Sequence, residues 1–204
     1  MKPNVLIADD HSMIRKGLKL FIELNTEIQD IDEVGNCREL MKALVAKRYT
    51  HLILDIILTD GNTLEIIPNI RNVYPELQIM VFSMQPTEIY GEAVKQYGIK
   101  YYLSKSLSEE EMQKMLQQFL KNEAPNNFKN KKSTLQNNPF VSLAPRELET
   151  LHYILKGMRT KEISETLNLK MSTVSTMKNR IYEKTSASNI KELLELATLY
   201  NVNY

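Results

Sequence analysis

The chain is poor in the features that would place it outside a reducing compartment or inside a membrane. Cys37 is the only cysteine of 204 residues, so an intrachain disulfide and a cysteine-based zinc site are both excluded. The first residues, MKPNVLIADD, have no apolar core of the secretory-signal kind. The longest apolar run, LILDIIL, is far too short to span a bilayer and carries Asp55 at its centre. A cytoplasmic location is therefore expected. Net charge is also scarce, at +1 overall, which alone points to no nucleic-acid or membrane partner. The balance is uneven along the chain, however. Residues 1–124 carry 14 basic and 18 acidic side chains, residues 125–139 carry three lysines and no acid, and residues 140–204 carry nine basic and seven acidic side chains. An acidic front and a basic back imply different tasks for the two ends.

Short β-branched runs recur through the front half, at Asn4–Ala8, Ile28–Val34, His51–Asp55, Gln78–Ser83 and Lys100–Leu103. Between them apolar residues take helical spacing. The faces are Ile14, Leu18, Phe21 and Ile22; Leu40, Met41, Leu44 and Val45; Leu64, Ile67, Ile70 and Val73; Ile89, Ala93 and Tyr97; and Met112, Met115, Leu116 and Phe119. Five strand–helix repeats predict an α/β fold, a doubly wound five-stranded parallel sheet covered on both faces. Residues 122–139, rich in Asn and Lys and without periodicity, read as a flexible linker. From Leu143 the pattern is purely helical, with Pro145 in a first turn and Gly157 as a stop. Thr160 opens a short helix with Ile163 and Leu167 on one face, and a second helix follows over Ser172–Lys184 after a tight turn. That is a helix-turn-helix pattern inside an all-α four-helix domain. The expected division is 1–121, linker 122–139, and 140–204.

Polar residues mark the strand ends. Asp9 and Asp10 follow the first strand, Asp55 ends the third, Ser83 ends the fourth, and Lys105 follows the fifth. In open α/β sheets ligands bind beyond the carboxyl ends of the strands, at the point where strand order reverses. An order of 2-1-3-4-5 brings all three carboxylates to that point. Three anions in one pocket need a cation, and Mg²⁺ suits them, since it takes hard oxygen ligands and works with phosphate. Asp55 is then available as a nucleophile towards a phosphoryl group. Ser83 can donate a hydrogen bond to the product, and Lys105 can supply a point charge.

The segments IADDH, LILDIIL, VFS and YYLSK resemble the receiver domain of two-component response regulators, and DDHxxxRxGL resembles the NarL/FixJ class in particular. The resemblance implies a flavodoxin-like receiver. It makes Asp55 the phosphoacceptor, Asp9 and Asp10 the acidic Mg²⁺ site, and Ser83 and Lys105 the phosphate-sensing pair. Tyr102 becomes the switch aromatic, and the backbone carbonyl of Ile57 a further metal ligand. Thr59 and Thr63 stand where the family usually has Pro and Gly, so Gly61 and Asn62 are expected to supply the turn. Met84 replaces a small residue beside Ser83, and its bulk is expected to slow access to the phosphoryl group.

LAPRELETLHYILKGMRTKEISETLNLKMSTVSTMKNRIYEK resembles the LuxR-type helix-turn-helix through Pro145, Arg146, Glu147, Leu151, Gly157, Lys161, Glu162, Ile163, Thr173, Val174 and Ile181. Leu151, Ile163, Leu167, Val174 and Ile181 have core spacing. Val174, Met177 and Ile181 form the inner face of the proposed recognition helix, and Ser175, Thr176, Lys178, Asn179 and Arg180 its outer face. Such a hydrogen-bonding and cationic set suits a major groove. By family position Ser175, Thr176 and Asn179 face bases, while Lys178 and Arg180 reach phosphates or guanines. Lys170 occupies a position where the family often has a serine cap, so Ser172 or Thr173 is expected to cap instead. The last helix, with Ile190, Leu193, Leu194, Ala197 and Leu199, resembles a dimer-forming element, with core packing within one chain as the alternative.

The resemblance thus implies a response regulator, phosphorylated by a histidine kinase, that controls transcription as a homodimer on double-stranded promoter DNA and is not an enzyme in its own right. Two other readings stay open. One is a phosphorylation-independent DNA-binding regulator whose receiver is a protein-interaction module. The other is a Mg²⁺-dependent phosphohydrolase, against which no second acid is spaced closely after Asp55.

Overall fold

Val5–Ala8 is apolar throughout and fully buried, as a central parallel strand must be. In the computed structural model, which describes residues 3–85, 87–123, 138–200 and 202 and leaves out the side chains of 88, 89 and 92, it forms β1. The elements that follow are α1 (Ser12–Asn25), β2 (Ile31–Val34), α2 (Cys37–Ala46), β3 (His51–Leu54), the pair β4 (Ile57–Leu58) and β5 (Gly61–Asn62), α3 (Ile67–Val73), β6 (Gln78–Ser83), α4 (Thr87–Lys95), β7 (Tyr101–Ser104) and α5 (Glu109–Leu120). The described residues fall into two compact units, the first carrying the sheet. Its strand order is β2-β1-β3-β6-β7, all parallel. The expected doubly wound order is therefore present, with its reversal between β1 and β3.

Alternate strand residues point to opposite faces. Val5, Ile7, Ile53, Met80, Phe82, Tyr101 and Leu103 pack with Leu18 and Ile22 of α1 and Met115, Leu116 and Phe119 of α5. Leu6, Leu52, Leu54, Ile79 and Val81 are buried as deeply on the other face. Helix ends follow ordinary capping. Asn36 accepts from the backbone N–H of Glu39 and starts α2, and Ser108 does the same for α5 through Glu111.

Several boundaries differ from expectation. β2 begins at Ile31, because its ladder with β1 has only four partners, Val5↔Ile31 to Ala8↔Val34. β7 runs one residue later than expected, in register with Met80–Ser83. Val45 and Val73 are exposed, so the apolar faces of α2 and α3 are narrower than their spacing suggested. The turn after β3 is not at Gly61 and Asn62. These form β5, paired antiparallel with Ile57 and Leu58, and Thr59 and Asp60 make the turn. Asp60 carboxylate oxygens accept the backbone N–H groups of Cys37 (2.6 Å) and Arg38 (3.1 Å), which ties the hairpin to the start of α2. The side chain of Ile89 and most of the expected linker, residues 124–137, lie outside what the structure describes.

The second unit contains a 3₁₀ turn (Pro139–Ser142), α6 (Pro145–Leu155), α7 (Thr160–Thr166), α8 (Met171–Thr185) and α9 (Ile190–Leu199). Pro145 is the first residue of α6, and Gly157 ends it at φ 78°, with Met158 N–H bonding back to the Tyr153 carbonyl. Asn168, at φ 52°, turns the chain between α7 and α8, a conformation Asn tolerates better than most residues. Leu151, Ile163, Val174, Ile181, Leu193 and Ala197 form a closed core. Leu167 is only half-buried, because α7 stops at Thr166 and leaves it at the helix end. Lys184 on α8 pairs with Glu147 on α6 at 2.6 Å, and the same Glu147 oxygen accepts the Ala144 N–H. Among the described residues no helix is long and apolar enough to cross a membrane.

Candidate functional site

The carboxyl ends of β1, β3, β6 and β7 meet at the reversal of strand order. Asp55 directly follows β3, placed by its N–H bond to the Ala8 carbonyl at 2.8 Å. Its residue is 5% exposed. One carboxylate oxygen accepts the Ser83 hydroxyl at 2.7 Å and its own neighbour's N–H, that of Ile56, at 2.6 Å. The other is paired with the Lys105 ammonium. Lys105 reaches the pocket because its N–H is held by the Ser83 carbonyl at 2.9 Å, just past the end of the β6–β7 ladder. The same ammonium lies 2.6 Å from Asp9. The lysine side chain is 4% exposed, so two carboxylates share one buried cation.

Burial pushes the Asp55 carboxyl up from its usual range, and Lys105 and Ser83 oppose that shift. Lys105 moves upward too: burial works against its charge, but Asp55 and Asp9 outweigh it. The lysine is thus held as a cation between its partners.

Asp9, Asp10, Asp55 and His11 each offer a ligand atom, and these atoms all lie within 4.8 Å of one another. Three hard carboxylates at that spacing fit a divalent cation such as Mg²⁺. His11, not expected as a site residue, lies with its ring nitrogen 2.7 Å from Asp10 and 3.2 Å from Asp9. Arg15 also escaped sequence reasoning: its guanidinium bonds the Asp9 carbonyl at 2.5 Å. So did Thr63, buried completely, whose hydroxyl donates to the carbonyls of Asp55 (2.8 Å) and Ile56 (3.2 Å). Ile57 heads β4, two residues beyond Asp55. Met84 is 67% exposed.

Tyr101 and Tyr102 point to opposite faces of β7. Tyr101 packs edge-on against Phe119, and the Tyr102 hydroxyl donates to the Gln85 carbonyl at 2.7 Å, two residues past Ser83. Both rings are buried.

On α8 the structure exposes Ser175, Thr176, Asn179 and Arg180 and buries Val174 and Ile181. Lys178 lies on the flank: it is half-buried, with its ammonium 3.4 Å from the Thr160 hydroxyl on α7. Lys170 remains the residue at the helix start, and neither Ser172 nor Thr173 caps. Its carbonyl accepts from Thr173 and Val174, and no side chain caps the end.

Comparison with known proteins follows the same division. Residues 5–117 match the family model described as response regulator receiver domain, and residues 141–197 match that of bacterial regulatory proteins, luxR family. The chain is 28% identical over 211 residues to the Fimbriae Z protein of Escherichia coli (strain K12), covering 99% of this chain and 100% of that one. It is 28% identical over 207 residues to the Oxygen regulatory protein NreC of Staphylococcus haemolyticus, covering 95% of each. A structure of RcsB from Salmonella enterica serovar Typhimurium, bound to promoter DNA in the presence of the phosphomimetic BeF₃⁻, aligns with a TM-score of 0.70 at 25% identity, covering 98% of this chain and 100% of that one.

Proposed function

The chain belongs to the response regulators, with a receiver followed by a LuxR-type DNA-binding domain, and from this we propose that Asp55 is its phosphoacceptor. The observation that carries the proposal is the meeting of Asp55, Ser83, Lys105 and Asp9 at four strand ends. The donor is a histidine kinase. An Asp55 carboxylate oxygen attacks phosphorus, and the new O–P bond forms as the N–P bond of the donor's phosphohistidine breaks. Lys105 then pairs with a phosphoryl oxygen in place of the free carboxylate, and Ser83 donates to another. Tyr102, joined by its hydroxyl to the segment after Ser83, is the switch aromatic. Asp9, Asp10, Asp55 and the Ile57 carbonyl would hold Mg²⁺, which would supply positive charge opposite the phosphoryl oxygens. The phosphoryl transfer and hydrolysis serve this protein alone, so it is not an enzyme towards other substrates.

The functional division is receiver 1–121, linker 122–139 and DNA-binding domain 140–204. Ser175, Thr176 and Asn179 face bases, and Lys178 and Arg180 reach phosphates or guanines, with the protein bound to promoter DNA as a homodimer in the cytoplasm. With Mg²⁺ and acetyl phosphate, the full chain should gain one phosphoryl group by intact-mass measurement, and Asp55→Ala should gain none. Equal labelling of the two would remove Asp55 from this role.

A further inference from the structure

The start of α8 is built differently from the other helix starts of its unit. In α6 Glu147 reaches back to the Ala144 N–H, in α7 Glu162 reaches back to the Arg159 N–H, and in α9 Asn189 caps and Glu192 follows in the first turn. α8 has no acidic residue in its first turn and no side-chain cap; it opens on Lys170 and Met171, both exposed. Neither local stability nor core packing asks for these two residues, since a helix start favours Ser, Thr, Asp or Asn and then an acid. Met171 is 52% exposed, and it is the one large apolar side chain on the outer surface of α8.

Its direction matters more than its exposure. Successive helical residues turn by about 100°, which places Met171 roughly 40° from Ser175 and 80° from Asn179 around the axis. It therefore continues the flank on which those two stand, one turn nearer the helix start. Side chains on a helix lean towards its N-terminus, so Met171 leans beyond the end of α8. In helix-turn-helix proteins, residues at that end of the recognition helix meet base edges. A thioether on an unbranched stem is soft and adaptable, and the apolar group it can meet in a major groove is the thymine C5 methyl.

We propose that Met171 is a specificity-determining residue that reads a thymine methyl group in the major groove, resting on the reading of α8 as the recognition helix. Its contact is apolar and carries no charge, so it selects sequence without adding to general affinity.

The test uses the full chain with Mg²⁺ and acetyl phosphate, and duplexes selected by it from a randomised library. In the best duplex each thymine is replaced in turn by deoxyuridine, which lacks only the methyl group. At one thymine, wild type should lose affinity about fourfold, the weight of one methyl group removed from water. Met171→Ala should bind the unmodified duplex about as weakly as wild type binds that deoxyuridine duplex, and should show no further loss with it. Met171→Leu should keep part of the discrimination. Asn179→Ala, run in parallel, separates the outcomes. If Asn179→Ala changes the selected sequence while no thymine is coupled to Met171, the methyl-reading role is wrong and the recognition helix stands. If neither substitution alters affinity or selected sequence, the recognition-helix reading falls with it.

Discussion

Replacing Lys105 by Met removes the one cation that Asp9 and Asp55 share while keeping most of the side-chain volume. The ammonium and both carboxylates are almost wholly withdrawn from water, with side-chain exposures of 4%, 2% and 7%. Breaking a buried pair by removing one partner costs about 3–5 kcal/mol, because the remaining charge is left unpaired. Here two anions are left facing each other, so the upper half of that range is expected in metal-free buffer at pH 7. At roughly 3–4 °C per kcal/mol for a unit of this size, the receiver transition in calorimetry of the full chain should fall by about 10–20 °C. Three further results are tied to the same cause. Mg²⁺ should stabilise Lys105→Met more than wild type, since it supplies the missing charge. Asp55→Asn should restore part of the loss in the Lys105→Met background. Lowering the pH should narrow the gap between Lys105→Met and wild type, as protonation relieves the repulsion. A Lys105→Met chain within about 1 kcal/mol of wild type, with no larger response to Mg²⁺, would refute the reasoning.

Two other expectations concern one site in each unit. His51 is 2% exposed, edge-on against Phe119, and burial holds its pKa below the ordinary 6.5; its stabilising neutral form is complete above that value and is lost as pH falls from it towards the folded pKa, so denaturant midpoints should drop over that interval less steeply in His51→Asn than in wild type, and equal slopes would contradict this. On α8, Lys178→Ala should flatten the plot of log affinity against log salt by about 0.9 for each phosphate no longer neutralised, whereas Asn179→Ala should leave the slope and cost on the order of 1–3 kcal/mol at the preferred site; binding titrations over a salt series decide, and unchanged behaviour of both would exclude α8 as the reading helix.

Much of this architecture is legible in the amino-acid sequence. The five sheet strands stand out because a central parallel strand must be apolar on both faces, and the polar residues that end them contrast with that background. Asp9, Asp55, Ser83 and Lys105 are visible in this way, and they do converge. What stayed hidden depends on short-range turns or on neighbours distant in sequence. A two-residue strand has no period, so β4 and β5 could not be read, and with them the turn at Thr59 and Asp60. Thr63 looked like a departure from the family's glycine. Its hydroxyl instead bonds two carbonyls at the pocket, a role visible only once the hairpin has brought it back to Asp55. Lys178 appeared fully outward from helical spacing alone, but spacing cannot show that α7 passes beside it.

The lysine shared between Asp9 and Asp55 also fixes the electrical state of the pocket. Counted by formal charge, the three carboxylates and the one ammonium leave an excess of two negative charges. A divalent ion bound there would cancel that excess. On the proposed mechanism, converting Asp55 to its acyl phosphate removes the carboxylate charge and brings about two negative charges on the phosphoryl oxygens, a net gain of about one at neutral pH, so the loaded, phosphorylated pocket would be anionic where the loaded, unphosphorylated one would be neutral. With Asp55 as the proposed phosphoacceptor, the receiver's signal would be an unbalanced charge of about one unit appearing at a buried carboxylate. Hydrogen-bond donors on neighbouring segments would be drawn towards it, and Ser83, whose hydroxyl already donates to Asp55, stands ready to respond.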